Sequence, residues 1–332
     1  MIAEAPLDKR EPARARYVVL AAVALCLFLL PLARSLIGQP YNYVLQLGIS
    51  VLMWVAMASS WNLIGGFAGY ISLGHNVFFG VGGYSAGLIL LHFGVSPFAT
   101  AVLAGLISVI LGALIGLITL RTRGPAFIIS TIALLLMVSL LFDNWSFAGG
   151  SNGISLPLPP FSLQDVKVPF YYAMLLLATF SVYLGHRVAH SKFGLALRAI
   201  AQDETKAEVA GIDTRRMKVA AFSLSAFSVG AAGAIWGYSL TYLRPTVFFS
   251  IAVAAQMVLM VIIGGRGTVA GPAIGAILLV ALNELSVSRF GSNELNLVVT
   301  GVMLLVVLLF FPLGVVGTLR ERGRLPSFLD WD

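Results

Sequence analysis

Ser35–Leu120, SLIGQPYNYVLQLGISVLMWVAMASSWNLIGGFAGYISLGHNVFFGVGGYSAGLILLHFGVSPFATAVLAGLISVILGALIGLITL, contains no Lys, Arg, Asp or Glu. A membrane-spanning helix needs about 20 mostly apolar residues, so this interval has room for three or four. Hydrocarbon offers no water to the backbone, so apolar runs of this length must be helical. A β-barrel would instead alternate polar and apolar residues in segments of about ten, and no such pattern is present. The whole chain agrees with that reading: 332 residues, 59% hydrophobic and only 11% charged. Soluble domains average about 25% charged residues. The expected fold class is all-α: a polytopic helical membrane protein.

Outward from that interval, residues 1–16 are polar and carry Lys9, Arg10, Arg14 and Arg16, and an apolar run follows from Tyr17 to Ala33. The run is longer than a signal-peptide core and no A-x-A pattern follows it, so it reads as an uncleaved first span. Further spans are expected near 41–64, 71–93, 97–120, 124–142, 168–186, 219–242, 247–263, 270–287 and 295–317, about ten in all. If the N-terminus is cytoplasmic, only Arg34, Lys167, Arg244 and Arg289 of the 21 basic residues fall outside, which is the bias cytoplasmic loops carry. This places both termini inside. The organisation is a tail (1–16), one transmembrane domain (17–318, with its main loop at 187–218) and a second tail (319–332). The net charge of +7 is then a topology signal, and no nucleic-acid partner is implied. Cys26 is the single cysteine, which excludes a disulfide within the chain.

The largest polar passage, Ser191–Gly211 (SKFGLALRAIAQDETKAEVAG), packs Arg198, Asp203, Glu204, Lys206 and Glu208 into a few turns. Apolar and small residues recur between them at helical spacing, and Gly211 suits a C-cap. A short surface helix with one polar side is expected. A charged loop between two spans is the plain alternative.

Two glycine-rich passages are the other landmarks. The first runs from Trp61 through Gly65, Gly66, Gly69 and Gly74 to Gly87, with Ser72, His75, Asn76, Phe78, Phe79, Tyr84 and Ser85 along it. Such density permits helix breaks, tolerated in membranes only where the freed backbone faces protein or a water-filled cavity. Transporters use a half-helix N-terminus of this kind to meet an anionic substrate group, such as an amino acid's carboxylate. Close helix packing is the simpler use of the same glycines. The second passage, Gly264-Gly265-Arg266-Gly267-Thr268-Val269-Ala270-Gly271-Pro272, could be its counterpart in an internal repeat. Between the two, Asp143–Val166 carries Gly149-Gly150-Ser151-Asn152-Gly153 and three prolines, so turns rather than helix are expected there.

Gly194, Arg198-Ala199-Ile200, Asp203-Glu204, Ala207 and Ala210-Gly211-Ile212 together resemble the cytoplasmic coupling loop of ABC importer permeases. The glycine-rich passages and the aromatic-Gly-Gly-Ser-Asn-Gly passage resemble the branched-chain amino-acid permeases, on the LivM-like side of the pair. The resemblance implies an importer subunit that pairs with a homologous LivH-like permease. It also implies two ABC ATPase subunits below, a periplasmic substrate-binding protein above, and a bacterial inner membrane. On it, Gly194, Arg198, Asp203, Glu204, Ala207 and Gly211 are ATPase-coupling positions, with Arg198, Asp203, Glu204 and Gly211 exposed in the lone chain. Ser72, His75, Asn76, Phe78, Phe79, Tyr84 and Ser85 become substrate-path residues. Cofactors are expected only on the partners, where ATP and Mg would sit.

No Lys follows a Gly, so no phosphate-binding P-loop exists in this chain, and no H-E-x-x-H occurs. ATP hydrolysis is therefore expected on other chains, and this one is read as a transport subunit rather than an enzyme. His186 and His190 have i, i+4 spacing but no third ligand nearby, so no metal site is assigned. Two alternatives stay open. One is an ABC permease for another small solute (amide, urea, sugar or nucleoside). The other is an ion-coupled transporter, for which Glu284 is the one carboxylate well inside an apolar run.

Overall fold

The computed structural model describes residues 13–34, 38, 41–162, 165–291, 298, 301–302, 305–306, 309–311, 313–323 and 326. Most of the first tail, part of the span expected at 295–317 and most of the last tail lie outside these residues. Among them, eight helices are long and apolar enough to cross a membrane. They are α2 (Tyr41–Asn62), α3 (Asn76–Phe93), α4 (Pro97–Thr119), α5 (Pro125–Asn144), α6 (Lys167–Ala189), α9 (Thr214–Leu240), the short α10 (Pro245–Phe248) taken together with α11 (Ile251–Gly264), and α12 (Gly271–Phe290). Before them runs α1 (Ala13–Leu29) with a 3₁₀ turn (Leu30–Leu32) directly after it, and Ala21–Leu32 is a shorter apolar helical stretch across the two. The polar loop is two short helices, α7 (Lys192–Gln202) and α8 (Glu204–Val209), and α13 (Gly314–Glu321) ends the described fold.

Burial ranks the helices. In their most apolar stretches α2 and α9 are 72% buried and α5 only 22%, so α2 and α9 are the centre and α5 is peripheral. Around α9 pack α3 and α4; α6 and α12 pack on α2, and α11 pairs with α12. The α3–α9 crossing is made of backbone. A Cβ at Gly82 would come within 2.0 Å of the Gly230 carbonyl oxygen, and one at Gly233 within 1.9 Å of that of Phe79. Without a strong hydrophobic force between helices in lipid, such small-residue contacts let dispersion hold them together.

Two departures from continuous helix organise the rest. Beyond Asn62 the α2 backbone widens into a π-helical turn, Leu63–Phe67, and the chain then runs without helix to His75. The span expected at 71–93 is therefore helical only from Asn76. On the other side, α10 ends at Phe248, and Ser250 caps a new helix by accepting from the Ala252 amide at 3.2 Å. The turn-rich passage after α5 folds as expected into 3₁₀ turns at Ser146–Ala148 and Gly150–Asn152. It also contributes something the all-α expectation lacks: β1 (Ile154–Ser155) pairs antiparallel with β2 (Tyr242–Leu243), tying that passage to the end of α9.

The two ends of the bundle are distinct. At one end lie α7, α8, the 63–75 segment, the 264–271 passage and α13; a Cβ at Gly314 would meet Gly265 at 2.6 Å. At the other end are β1 and β2, the Arg34–Asp165 ion pair at 3.1 Å, and Tyr171 and Tyr172, which donate to the carbonyls of Leu27 and Phe28.

Candidate functional site

Each short helix of the polar loop starts on a capping side chain that satisfies an otherwise orphaned amide. Ser191 accepts from the Gly194 amide at 3.1 Å, Asp203 from Lys206 at 3.0 Å, and Asp213 from Arg216 at 3.0 Å at the start of α9. Gly211 takes φ +86° with nothing within 4 Å of where its Cβ would sit, so it ends the loop by backbone geometry alone. Gly194 is buried against the Val188 carbonyl oxygen, which a Cβ would approach to 2.1 Å. Ala207 is buried as well. Arg198 is half-buried, its guanidinium 5.4 Å from the Phe67 ring centroid. Asp203 is half-exposed and pairs with Lys206 at 3.3 Å.

Glu204 differs from the exposed contact residue expected, because its side chain is only 10% exposed. It lies 2.6 Å from the ammonium of Lys218, itself 3% exposed, and Arg123 approaches its other oxygen at 3.2 Å. Tyr70 donates to the same carboxylate, and Thr214 donates to it at 3.3 Å. Lys218 also donates to Tyr70 Oη at 3.1 Å and to the Leu120 carbonyl at 3.2 Å, and its ammonium sits 4.6 Å from the Tyr70 ring centroid. Burial alone would raise the Glu204 pKa; the hydrogen bonds from Lys218 and Tyr70, with the charges of Lys218 and Arg123, outweigh it and hold the carboxyl below its usual value. The amide and side-chain bonds from Lys206 likewise lower Asp203. One buried carboxylate thus joins α8 to α9, to the end of α4 and to the non-helical segment after α2. Beside it opens a cleft of about 410 Å³ lined by Tyr70, Ile71, Arg123, Phe127, Ile200 and Glu204 among others.

The glycine-rich residues come together deeper in the bundle. His75 Nε2 bonds Ser225 Oγ at 2.8 Å, and its ring packs edge-on against Phe78 and Phe222. At 1.5 Å per residue, Ser225 lies about 17 Å up the α9 axis from Thr214, in a helix about 40 Å long. The first turn of α3 therefore sits near the middle of α9. There Asn76 donates to the carbonyls of Phe248 and Ser250, each at 2.9 Å, closing the gap between α10 and α11. Helices α3 and α11 thus both begin at this point. Among the described residues, Asn76 Oδ1 and His75 Nδ1 are buried without a protein partner. Phe79 stacks on Phe248, and Tyr84 stacks on Phe249 while donating to the Leu243 carbonyl at 3.2 Å. Ser72 accepts at its carbonyl from Trp61 Nε1 at 2.7 Å. Ser85 Oγ donates to the Gly82 carbonyl at 3.0 Å. Ser85 stands in a G-x-S-x-G pentapeptide, as does Ser151. Neither occupies the strand-to-helix turn that exposes a nucleophile: Ser85 is inside α3 and Ser151 in a 3₁₀ turn.

The two glycine-rich passages also meet each other. Asn62 accepts from the Gly267 amide at 3.1 Å and donates to the Thr268 carbonyl at 2.9 Å. Arg266 donates to the Gly65 carbonyl at 2.8 Å, an oxygen in the π-helical turn. Glu284 accepts from Tyr43 at 2.8 Å, away from Asn76. His186 and His190 rings lie 4.3 Å apart, and among the described residues no group of three or more His, Cys, Asp or Glu could hold a metal.

Sequence reasoning missed Tyr70, Arg123 and Lys218 as site residues. Lys218 falls at the end of the loop expected at 187–218, directly before the span expected at 219–242. Its distance of fourteen residues from Glu204 hid the pairing.

The model of the family described as branched-chain amino acid transport system / permease component matches residues 43–308. The LivM permease protein of Salmonella typhimurium is 26% identical over 331 residues, covering 91% of this chain and 77% of its own. The LivH permease protein of the same organism is 26% identical over 284 residues, covering 80% and 91%. The BraD permease protein of Pseudomonas aeruginosa is 24% identical over 299 residues, covering 83% and 96%. No solved structure matches significantly. A bundle of apolar helices broken after α2 and again between α10 and α11, matched along most of its length by one family, belongs to the permease component of branched-chain amino acid transport systems.

Proposed function

We propose that this chain is the LivM-like membrane subunit of an ATP-driven importer of branched-chain amino acids in a bacterial inner membrane, with both termini cytoplasmic. It pairs with a LivH-like permease, takes substrate from a periplasmic binding protein at the β1–β2 end, and presents α7–α8 to an ABC ATPase. The names of its relatives support the substrate class. The charge bias supports the orientation, because positive residues collect on the cytoplasmic side.

The observation that carries the coupling reading is the form of the polar loop. It is not a solvated connection; Glu204 and Ala207 fasten it from below while Leu195 and Val209 stay 69% and 87% exposed. Large bare apolar side chains on a rigid, otherwise charged element suit a partner surface. The substrate's carboxylate would be met near Asn76, where the α3 and α11 N-termini bring partial positive charge to the middle of α9.

The test is capture of candidate ATPase subunits by the membrane-embedded chain. Wild type is expected to retain them, and Leu195→Glu with Val209→Lys to lose them while still inserting. No capture by wild type, or equal capture by the variant, removes the ABC reading.

A further inference from the structure

The polar loop has to act on the transmembrane helices, and one set of contacts reaches from it towards the middle of α9. Glu204, on α8, shares its carboxylate between Lys218 of α9, Tyr70 of the non-helical segment and Arg123 of the α4–α5 turn. From Tyr70 it is only six residues to Asn76, the residue that closes the α10–α11 gap. Those six are not slack. The Tyr70 amide bonds the Ile64 carbonyl at 3.1 Å, Trp61 Nε1 bonds the Ser72 carbonyl, and the Leu73 amide bonds Thr131 Oγ1 at 3.2 Å. A displacement of α8 is thereby delivered to the first turn of α3 rather than absorbed by a flexible linker. The cleft of about 410 Å³ beside Tyr70, Phe127 and Ile200 leaves room for α8 to shift without driving side chains into α5.

We propose that Tyr70, Glu204 and Lys218 form a charged bolt that transmits movement of α7–α8 into the first turn of α3, so that without it ATP hydrolysis and transport come apart. The proposal rests on the ABC-permease reading, and it assigns these side chains a positioning role. The bolt is electrostatic because an ion pair has two discrete states. Held together it is rigid; once separated, each charge needs water, so the element switches rather than stretches.

The experiment uses the full permease–ATPase assembly in vesicles, with radiolabelled leucine uptake and phosphate release measured on the same samples. The variants are Tyr70→Phe, Glu204→Gln and the neutral pair Glu204→Gln/Lys218→Met. Tyr70→Phe keeps the ring, which packs edge-on against Phe127 at 5.3 Å between centroids, so it preserves the fold while removing the hydroxyl that bridges Glu204 and Lys218. The expected result is normal insertion, ATPase capture and hydrolysis, with uptake per ATP lowered about tenfold, inside the range of measured coupling between sites. Glu204→Asp should recover part of the ratio. Uptake per ATP equal to wild type in Tyr70→Phe and Glu204→Gln overturns the bolt. So does loss of ATPase capture in step with uptake, which would make Glu204 a docking residue. If wild type binds no ATPase, the ABC reading fails, and that result is distinct from both.

Discussion

Replacing Lys218 with Met isolates the energetics of the buried pair. The stem keeps its packing, but four partners lose the ammonium: Glu204 at 2.6 Å, Tyr70 Oη at 3.1 Å, the Leu120 carbonyl at 3.2 Å and the Tyr70 ring. Breaking a buried pair by removing one partner costs about 3–5 kcal/mol, because the other charge is left without compensation. Side-chain exposures of 3% and 10% mean little solvent screening relieves it. Glu204 does retain Arg123 at 3.2 Å, and Arg123 is 53% exposed, so it offers partial compensation. A cost of about 2–3 kcal/mol is therefore expected, below the range for a fully orphaned charge. Glu204→Gln in the same chain should return at least about 1 kcal/mol, since a neutral amide beside Met leaves no uncompensated charge. The assay is a double-mutant cycle by equilibrium unfolding in mixed micelles, with helicity as the signal. Additive single-mutant costs, or a Lys218→Met cost below about 0.5 kcal/mol, would refute the reasoning by showing that the two groups do not interact in the folded chain.

Gly82→Val should prevent the α3–α9 crossing and sharply lower the yield of inserted, monodisperse protein, whereas Gly94→Ala, at φ +67° with open space around it, should cost only about 1 kcal/mol of backbone strain. Asn76→Leu removes the donor of the Phe248 carbonyl and leaves the Ser250 carbonyl only the Ala254 amide at 3.4 Å; a loss of about 1–3 kcal/mol and faster proteolysis between α10 and α11 are expected, read by limited digestion in nanodiscs. The polar loop should also respond to pH. Because the folded chain holds the Glu204 and Asp203 carboxyls below their usual values, their contribution is full above the ordinary carboxylate range of about 4 and is lost as pH falls through the lowered values. Accessibility of a cysteine placed at Ala207 should rise on acidification and stay flat from pH 6 to 8, and a rise between 6 and 8 would count against the bolt as the loop's fastening.

The helical membrane class was legible in composition, because an uncharged stretch the length of Ser35–Leu120 has only one way to satisfy its backbone in hydrocarbon. Local signals were legible too. Gly211 sits in the left-handed conformation a C-cap needs, and the density of glycine around Gly65 marked a true break in the helix. The polar loop also stood out, since charge clusters survive beside lipid only where water or a partner receives them.

What the sequence could not supply is every contact made across it. The depth at which α3 begins depends on Ser225 and on the gap after Phe248, more than 145 residues away. The β1–β2 pairing depends on two dipeptides that carry no strand signal of their own. Glu204 read as a surface contact because the resemblance made it a coupling position in a charged loop. It is buried because the packing of α4 and α9 brings Lys218 and the Leu120 carbonyl beneath it. Periodicity and charge record what each segment requires of its surroundings, whereas only the packed bundle determines which distant group meets that requirement.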